Sequence, residues 1–177
     1  NYDVTYVGHP LIDAIHNHPA IDSAVFKTEN QLSEKPIIAL LPGSRKQEIT
    51  KMLSGMLSIV DDFPDYQFVI AGAPSQDYSF YKQFIQNENI KFISNKTYDL
   101  LKNATAALVT SGTATLETAL FKVPEVVCYK GSWASYQIAK RIITLKYISL
   151  VNLIMDEEVV TEVTNAAVAF FNKSYVL

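Results

Sequence analysis

Two short segments of the chain combine a glycine with hydroxyl-bearing side chains, and each directly follows an apolar run. The residues concerned are Gly43, Ser44 and Arg45 in the first segment, and Ser111, Gly112, Thr113, Ala114 and Thr115 in the second. At a turn from a strand into a helix, glycine allows close approach to the backbone, while free N–H groups and the helix dipole favour an anion. Two such elbows beside one cleft predict that the ligand is a nucleotide.

Arg45 distinguishes the first elbow from an ordinary helix start. Ser44 followed by Gln47 fits a capping box at the start of a helix over residues 45–61, and this purely structural interpretation stays open. The guanidinium of Arg45 offers phosphate oxygens two parallel donors in the first turn of that helix. The G-x-x-x-x-G-K-S/T spacing of a P-loop is absent, which disfavours a simple ATPase or GTPase.

Glu117 stands one turn into the helix that the second elbow opens. Its carboxylate is placed to accept hydrogen bonds from both hydroxyls of a ribose. The alternative is an exposed acid that complements the positive end of the helix dipole. A nucleophilic role for Ser111 is disfavoured, because the G-x-S-x-G elbow is missing and no histidine stands near it in the sequence.

All three histidines lie between residues 9 and 18. On a helix, His9, Asp13 and His16 would share one face, which suggests a metal site. Zinc sites usually need a fourth ligand or a supported open position, and His18 precedes Pro19 in a predicted loop. We therefore expect no metal and no cofactor. His9 follows a predicted strand over residues 4–7, and we interpret it as a hydrogen-bond donor that lines the cleft.

The composition limits the class of protein. The chain has 177 residues, 49% of them hydrophobic, so residues 1–177 are predicted to form a single domain. A net charge of -3 without an extended basic patch argues against nucleic acid as a partner. The single cysteine, Cys128, fits a buried position in a reducing compartment. Because the chain begins with Asn1 and soon enters a predicted strand, we expect it to be part of a longer protein.

Apolar runs rich in β-branched residues alternate with segments of helical periodicity. The runs predict strands over residues 37–41, 66–71, 90–93, 106–110, 125–129 and 145–149. Helices are predicted over residues 45–61, 79–86, 98–102, 113–121, 133–143 and 157–172, and the polar segment 17–35 is interpreted as a linker. This alternation predicts an α/β fold, namely a Rossmann-like parallel sheet with helices on both faces. Ligands of such sheets bind at the carboxyl ends of the strands, where both elbows lie.

Five segments stand out by their order and spacing along the chain. They are VGHPL at residues 7–11, LPGSR at 41–45 with Glu48 and Ile49 after it, SGTATLE at 111–117, VVCY at 126–129 and NLI at 152–154. Together they closely resemble the carboxyl-terminal half of the lipid-A-disaccharide synthase family. The resemblance extends over about residues 4–160, and the combination is far more specific than either elbow alone.

The resemblance implies one half of a GT-B glycosyltransferase, in which this domain binds the UDP part of the sugar donor. In that family an inverting hexosyltransferase of lipid A biosynthesis moves 2,3-diacylglucosamine from UDP to the 6-hydroxyl of 2,3-diacylglucosamine 1-phosphate, lipid X. The implied substrates are therefore UDP-2,3-diacylglucosamine and lipid X. The acceptor site and the catalytic general base are expected in an amino-terminal domain outside this sequence, so this chain alone is expected to be inactive.

Carried onto this sequence, the resemblance places the first elbow at the pyrophosphate, the second elbow beside it, Glu117 at the ribose and His9 at the junction between domains. It also implies a cytoplasmic protein that contacts the inner membrane peripherally through the other half, with a homodimer as a further option. Two alternatives stay open. One is a UDP-sugar 2-epimerase of the same architecture, which would need acid and base carboxylates and a histidine in the cleft. The other is a non-catalytic nucleotide-binding module, and turnover by the complete protein discriminates among the three.

Overall fold

The computed structural model describes residues 5, 8–129 and 147–164 of the chain. The helix predicted over residues 133–143 lies outside the described residues, as does most of the strand predicted over 4–7. Among the described residues, no helix is both long and apolar enough to cross a membrane.

Within the described residues, six strands form one fully parallel sheet. They are β1 (Ile37–Leu41), β2 (Gln67–Gly72), β3 (Ile90–Ser94), β4 (Ala106–Thr110), β5 (Glu125–Tyr129) and β6 (Thr161–Thr164). The strand order is β3-β2-β1-β4-β5-β6, the doubly wound order of Rossmann sheets. The predicted α/β fold class is confirmed, and the strand order reverses its direction between β1 and β4.

Helices connect and cover the strands. They are α1 (Pro10–His16), α2 (Ser23–Glu29), α3 (Lys46–Leu57), α4 (Tyr78–Lys82), α5 (Thr97–Asn103), α6 (Thr113–Leu120) and α7 (Leu150–Met155), with a 3-10 turn at Val60–Asp62. The helix predicted over residues 45–61 is thus divided into α3 and that turn. The helix predicted over 79–86 is shorter in the structure and starts one residue earlier, as α4.

The core lies on both faces of the sheet because successive residues of a strand point to opposite sides. In β1, Ile38 and Leu40 join the apolar cluster beneath α3, whereas Ile37, Ala39 and Leu41 join the cluster beneath α5. Each buried isoleucine or leucine side chain contributes about 1.5–3 kcal/mol. The prediction of helices on both faces is therefore confirmed.

The interpretation of residues 17–35 as a linker is wrong, because α2 lies within them. The Asp22 side chain caps this helix by accepting hydrogen bonds from the backbone N–H groups of Ala24 and Val25. Phe26 is fully buried and anchors α2 in the core beneath the sheet. One large apolar side chain thus orders a segment whose other residues are mostly polar.

Two further predictions near the end of the described chain are wrong. Of the strand predicted over 145–149, the first two residues lie outside the described part of the chain and residues 147–149 form a loop. The Ser149 hydroxyl accepts a hydrogen bond from the Asn152 N–H and caps α7. The helix predicted over 157–172 is replaced at residues 161–164 by β6, which pairs with β5 through Val126 and Thr161. The β-branched residues of this stretch favour a strand once an unpaired edge is available.

Glu125 is buried at the amino end of β5. Neither of its carboxylate oxygens has a hydrogen-bond partner within the described part of the chain. Burial alone raises the pKa of this carboxyl to about 8, since a charge is costly to keep away from water. The folded chain therefore holds the side chain in its neutral form near neutral pH.

The Glu125→Gln substitution is expected to make the stability of the fold less dependent on pH. The folded chain keeps the Glu125 proton up to about pH 8, whereas the unfolded chain loses it near the ordinary pKa of 4.5. The free energy of unfolding should therefore fall by about 2–4 kcal/mol as the pH rises between these values. Urea unfolding at several pH values measures this decline, which Glu125→Gln should abolish. A matched Glu88→Gln change at an exposed acid should leave the decline intact. If the Glu125→Gln variant showed the same decline as the original chain, Glu125 would not be its cause.

Candidate functional site

The two predicted elbows meet at one cleft. β1 pairs with β4, with Leu41 opposite Val109, so the segments that follow these strands lie side by side at the carboxyl edge of the sheet. The cleft has a volume of about 450 Å³. We call it the switch-point cleft; it is lined by Leu41, Gly43, Ser44, Arg45, Glu48, Ala71, Gly72, Ala73, Pro74, Thr97, Thr110, Ser111, Gly112, Thr113, Ala114 and Glu117.

The first elbow is held by its own helix and by the loop after β2. Gly43 has φ +103°, a left-handed conformation that side chains other than glycine rarely adopt. The Ser44 N–H donates a 3.1 Å hydrogen bond to the Glu48 carboxylate, and the Ser44 carbonyl accepts one of 2.8 Å from the Ser75 hydroxyl. The predicted capping box is wrong: α3 begins at Lys46, with no side-chain cap, because Glu48 instead of Ser44 engages the backbone.

Arg45 is exposed at the start of α3 and lines the switch-point cleft. It also lines a neighbouring cavity of about 390 Å³, together with Lys46 and Lys51. No ion pair of Arg45 occurs within the described part of the chain. The start of α3 therefore presents a fixed positive charge and a helix N-terminus to the same space, a combination that suits an anionic group.

The second elbow is tied into the sheet. The Ser111 N–H donates to the Cys128 carbonyl at 3.1 Å, and the Ser111 hydroxyl donates to the Ile148 carbonyl at 2.9 Å. Gly112 has φ +152°, and a Cβ built there would meet open space. Thr115 is fully buried, its hydroxyl donates to the Gly112 carbonyl, and it does not line the switch-point cleft. Ser111 and Thr115 thus shape the elbow, whereas Gly112 opens it toward the cleft.

Glu162 of β6 fixes the loop that receives the Ser111 hydroxyl. Its carboxylate accepts hydrogen bonds of 2.8 Å from the N–H groups of Ile148 and Ser149 and from the side-chain amide of Asn152. Asn152 is fully buried, and its side-chain oxygen accepts from the N–H groups of residues 159 and 160. Sequence reasoning placed Asn152 in a resembling motif without assigning this role, and it gave Glu162 no role. The contacts link β6 to the second elbow.

Thr110 closes the floor of the cleft between the two elbows. The residue is 7% exposed, and its hydroxyl has no hydrogen-bond partner within the described residues. A buried hydroxyl without a partner is unfavourable.

Glu117 lines the cleft, and a side chain of the neighbouring helix α5 holds its carboxylate. Its Oε1 atom accepts a 2.9 Å hydrogen bond from the Tyr98 hydroxyl of α5. Burial, and to a smaller extent Glu117 itself, raises the pKa of Tyr98 to about 12, so the phenol stays a donor at neutral pH. Sequence reasoning missed Tyr98, and it also missed Pro74 and Thr97 on the cleft wall. The strand order would have indicated Pro74 and Thr97, because they follow β2 and β3, which end at the same carboxyl edge of the sheet as the two elbows.

The structure does not bring His9 to the switch-point cleft. His9 precedes α1, and its Nδ1 atom accepts a hydrogen bond from the Leu11 N–H at 3.2 Å. Among the described residues, no group of three or more histidine, cysteine, aspartate or glutamate side chains is arranged to hold a metal ion. Cys128 is buried, and burial raises the pKa of its thiol to about 12, which makes it unreactive.

The sheet order and the position of the cleft define a Rossmann-like α/β domain of the kind found in GT-B glycosyltransferases and related epimerases. Two solved structures share the fold. UDP-GlcNAc 2-epimerase from Methanocaldococcus jannaschii has a TM-score of 0.51 and 18% identity, and the match covers 70% of this chain and 38% of the epimerase chain. TarM has a TM-score of 0.53 and 14% identity, and the match covers 80% of this chain and 28% of the TarM chain. The chain belongs to the lipid-A-disaccharide synthetase family, whose model matches residues 1–175.

Curated relatives agree with this family. Lipid-A-disaccharide synthase from Coxiella burnetii is 38% identical over 167 residues, which is 92% of this chain and 44% of that protein. The enzyme of the same name from Syntrophus aciditrophicus is 36% identical over 172 residues, which is 93% of this chain and 45% of that protein. The chain therefore spans somewhat less than half the length of these relatives.

The Gly43→Ala substitution is expected to destabilise the first elbow. The left-handed φ disfavours alanine, and a Cβ at this position would meet the Glu48 side chain that accepts the Ser44 N–H. We expect a loss of about 1–3 kcal/mol in the free energy of unfolding, measured with urea. Gly55→Ala, within α3, is the matched control and should leave the stability unchanged or raise it, because alanine favours a helix. Equal stability of the Gly43→Ala variant and the original chain would contradict the role given to Gly43.

Proposed function

We propose that this chain is the donor-binding half of a lipid-A-disaccharide synthase, a hexosyltransferase that uses UDP-2,3-diacylglucosamine as donor and lipid X as acceptor. One observation carries the proposal: within a chain of this family, the two glycine elbows follow neighbouring strands and share one cleft with Arg45 and Glu117. The cleft volume of about 450 Å³ falls within the ~300–1,000 Å³ typical of small-molecule sites.

In this proposal the first elbow binds the pyrophosphate. Because the Ser44 N–H is already bonded to Glu48, the main attraction comes from the Arg45 guanidinium and the N-terminal end of α3. Gly43 adds no side chain of its own to this part of the cleft, where the neighbouring side chain is that of Glu48. Charge at this place also suits catalysis, since UDP gains negative charge as it leaves.

The second elbow and Glu117 take the nucleoside in this proposal. Gly112, Thr113 and Ala114 form the cleft wall, and the Glu117 carboxylate accepts hydrogen bonds from the ribose hydroxyls. Ser111 and Thr115 act indirectly, by holding the shape of this elbow. The Methanocaldococcus jannaschii epimerase that shares the fold was solved in complex with UDP-GlcNAc and UDP, which supports a uridine nucleotide as the ligand class.

The proposed reaction is an inverting transfer. The 6-hydroxyl oxygen of lipid X forms a bond to the anomeric carbon of the donor sugar, while the bond from that carbon to the β-phosphate oxygen breaks. UDP leaves with the bonding electrons, and the hydroxyl proton passes to a general base. We place that base, the acceptor site and the membrane contact in an amino-terminal half that this sequence does not contain.

The remaining elements of the proposal concern the complete protein. It is a cytoplasmic protein that contacts the cytoplasmic face of the inner membrane peripherally, and it serves lipid A biosynthesis in a Gram-negative bacterium. His9 lies at the junction with the other domain, outside the switch-point cleft of this chain. A homodimer is compatible with this arrangement.

Arg45→Ala is expected to weaken UDP binding by about 10–100-fold, because hydrogen bonds to a charged group contribute about 1.5–3 kcal/mol. The measurement is calorimetric titration with UDP, and a parallel titration with AMP shows whether binding is selective for UDP. Lys82→Ala is the matched control, because it removes an exposed cation from α4, away from the cleft. A second variant, Glu117→Ala, should also weaken UDP binding, and the double variant should abolish it.

A turnover assay of the complete protein distinguishes the proposed activity from its alternatives. The complete protein, supplied with both substrates, should form a disaccharide and release UDP. Formation of a free epimer from the UDP-sugar, or equal binding of AMP and UDP without any turnover, would contradict the proposal.

A further inference from the structure

Glu117 does not stand alone at the cleft, because a neighbouring helix holds its carboxylate. Its Oε1 atom accepts a 2.9 Å hydrogen bond from Tyr98, which lies in the first turn of α5. Tyr98 itself does not line the switch-point cleft, whereas Glu117 does. The tyrosine can therefore affect a ligand only through the glutamate.

The ring of Tyr98 is fixed from two sides. Phe121, at the end of α6, packs against it at a ring-centroid distance of 5.2 Å, and His18 contacts it edge-on at 5.3 Å. The His18 Nε2 atom lies 2.7 Å from the Asp99 carboxylate. Lys102 adds a further tether, because its ammonium group donates to the carbonyls of His18 and Pro19. The hydroxyl that meets Glu117 thus belongs to a side chain with little freedom to move.

We infer that Tyr98 is a positioning residue that holds the Glu117 carboxylate in the orientation in which it recognises the two ribose hydroxyls of a nucleotide. This inference rests on the proposed function, since it takes a ribonucleotide as the ligand. Tyr98 acts as a specificity determinant through Glu117 and does not touch the ligand.

The chemistry of a carboxylate explains how this arrangement works. An ionised carboxylate offers about four acceptor positions on its two oxygens. Tyr98 occupies one of them on Oε1, and two neighbouring hydroxyls of a sugar can share the others. A glutamate without the tyrosine would lose more side-chain freedom when it bound a diol, so its preference for a diol would be weaker.

Tyr98→Phe tests this role, because it removes the hydroxyl and keeps the ring contacts. Titrations with UDP, 2′-deoxy-UDP and 3′-deoxy-UDP should be made with the complete protein that carries this chain. We expect the original protein to prefer UDP over either deoxy analogue by about tenfold or more, as expected for a lost hydrogen bond to a charged group. Tyr98→Phe should reduce that preference to about threefold or less, mainly by weakening the binding of UDP and with little effect on the binding of the deoxy analogues.

Two further variants separate positioning from general damage. Tyr66→Phe is the matched control, since Tyr66 precedes β2 at the opposite edge of the sheet and should leave the preference unchanged. Phe121→Leu loosens the support of the Tyr98 ring without removing a polar group, and it should lower the preference by a smaller factor. Urea unfolding of each variant shows that the fold is retained.

The outcomes are distinguishable. An unchanged preference for UDP in folded Tyr98→Phe overturns the inference and leaves the proposed function standing. Equal binding of UDP and the deoxy analogues by the original protein also overturns it, because Glu117 would then not contact the ribose. If the original protein does not bind UDP at all, the proposed function itself fails, and the inference fails with it.

Discussion

The parallel pairing of β1 with β4 sets Leu41 beside Val109, and the features of the cleft depend on it. At this pair the strand order changes direction, so the chain leaves the two strands toward opposite faces of the sheet. The space between the departing segments is the switch-point cleft. Each elbow then needs only a glycine and a short helix start to place backbone groups, a cation and a carboxylate around one ligand.

Much of the hydrogen-bonding capacity of the elbows is used to hold their shape. Ser44 donates its N–H to Glu48, and Ser111 donates both its N–H and its hydroxyl to neighbouring carbonyls. What remains for a ligand includes the charge of Arg45, the N-terminal end of α3 and the carboxylate of Glu117. A rigid frame of this kind costs little reorganisation when a nucleotide binds, which is the general advantage of a preformed site.

The fold and the location of the cleft were predictable from the sequence because both depend on local pattern. The runs over residues 37–41, 106–110 and 125–129 are apolar and β-branched, and the structure has strands with those bounds. The elbows follow two of these strands directly. The elbows alone predicted a nucleotide ligand, and the family resemblance then predicted a glycosyltransferase.

The remaining features depend on contacts between distant segments. Tyr98 precedes Glu117 by 19 residues and meets it only because α5 and α6 pack near each other. β6 forms because β5 offers an edge, and periodicity alone gave a helix there. For Tyr98 and β6, a tertiary partner decides the outcome. The Ser44 capping box failed for a local reason, since Glu48, four residues further on, accepts the Ser44 N–H.

The position of the nucleotide is tested most directly by mapping UDP binding on the backbone amides of this chain by nuclear magnetic resonance. If the nucleotide lies between β1 and β4, the largest shifts on adding UDP fall on residues 43–45 and 110–117, at the carboxyl edge of the sheet. The cavity of about 320 Å³ that includes Ser33, Gln67 and Asn89 lies where β2 and β3 begin, and its amides should not respond. Shifts centred on that opposite edge, with none at the two elbows, would contradict the claim that the nucleotide lies between β1 and β4.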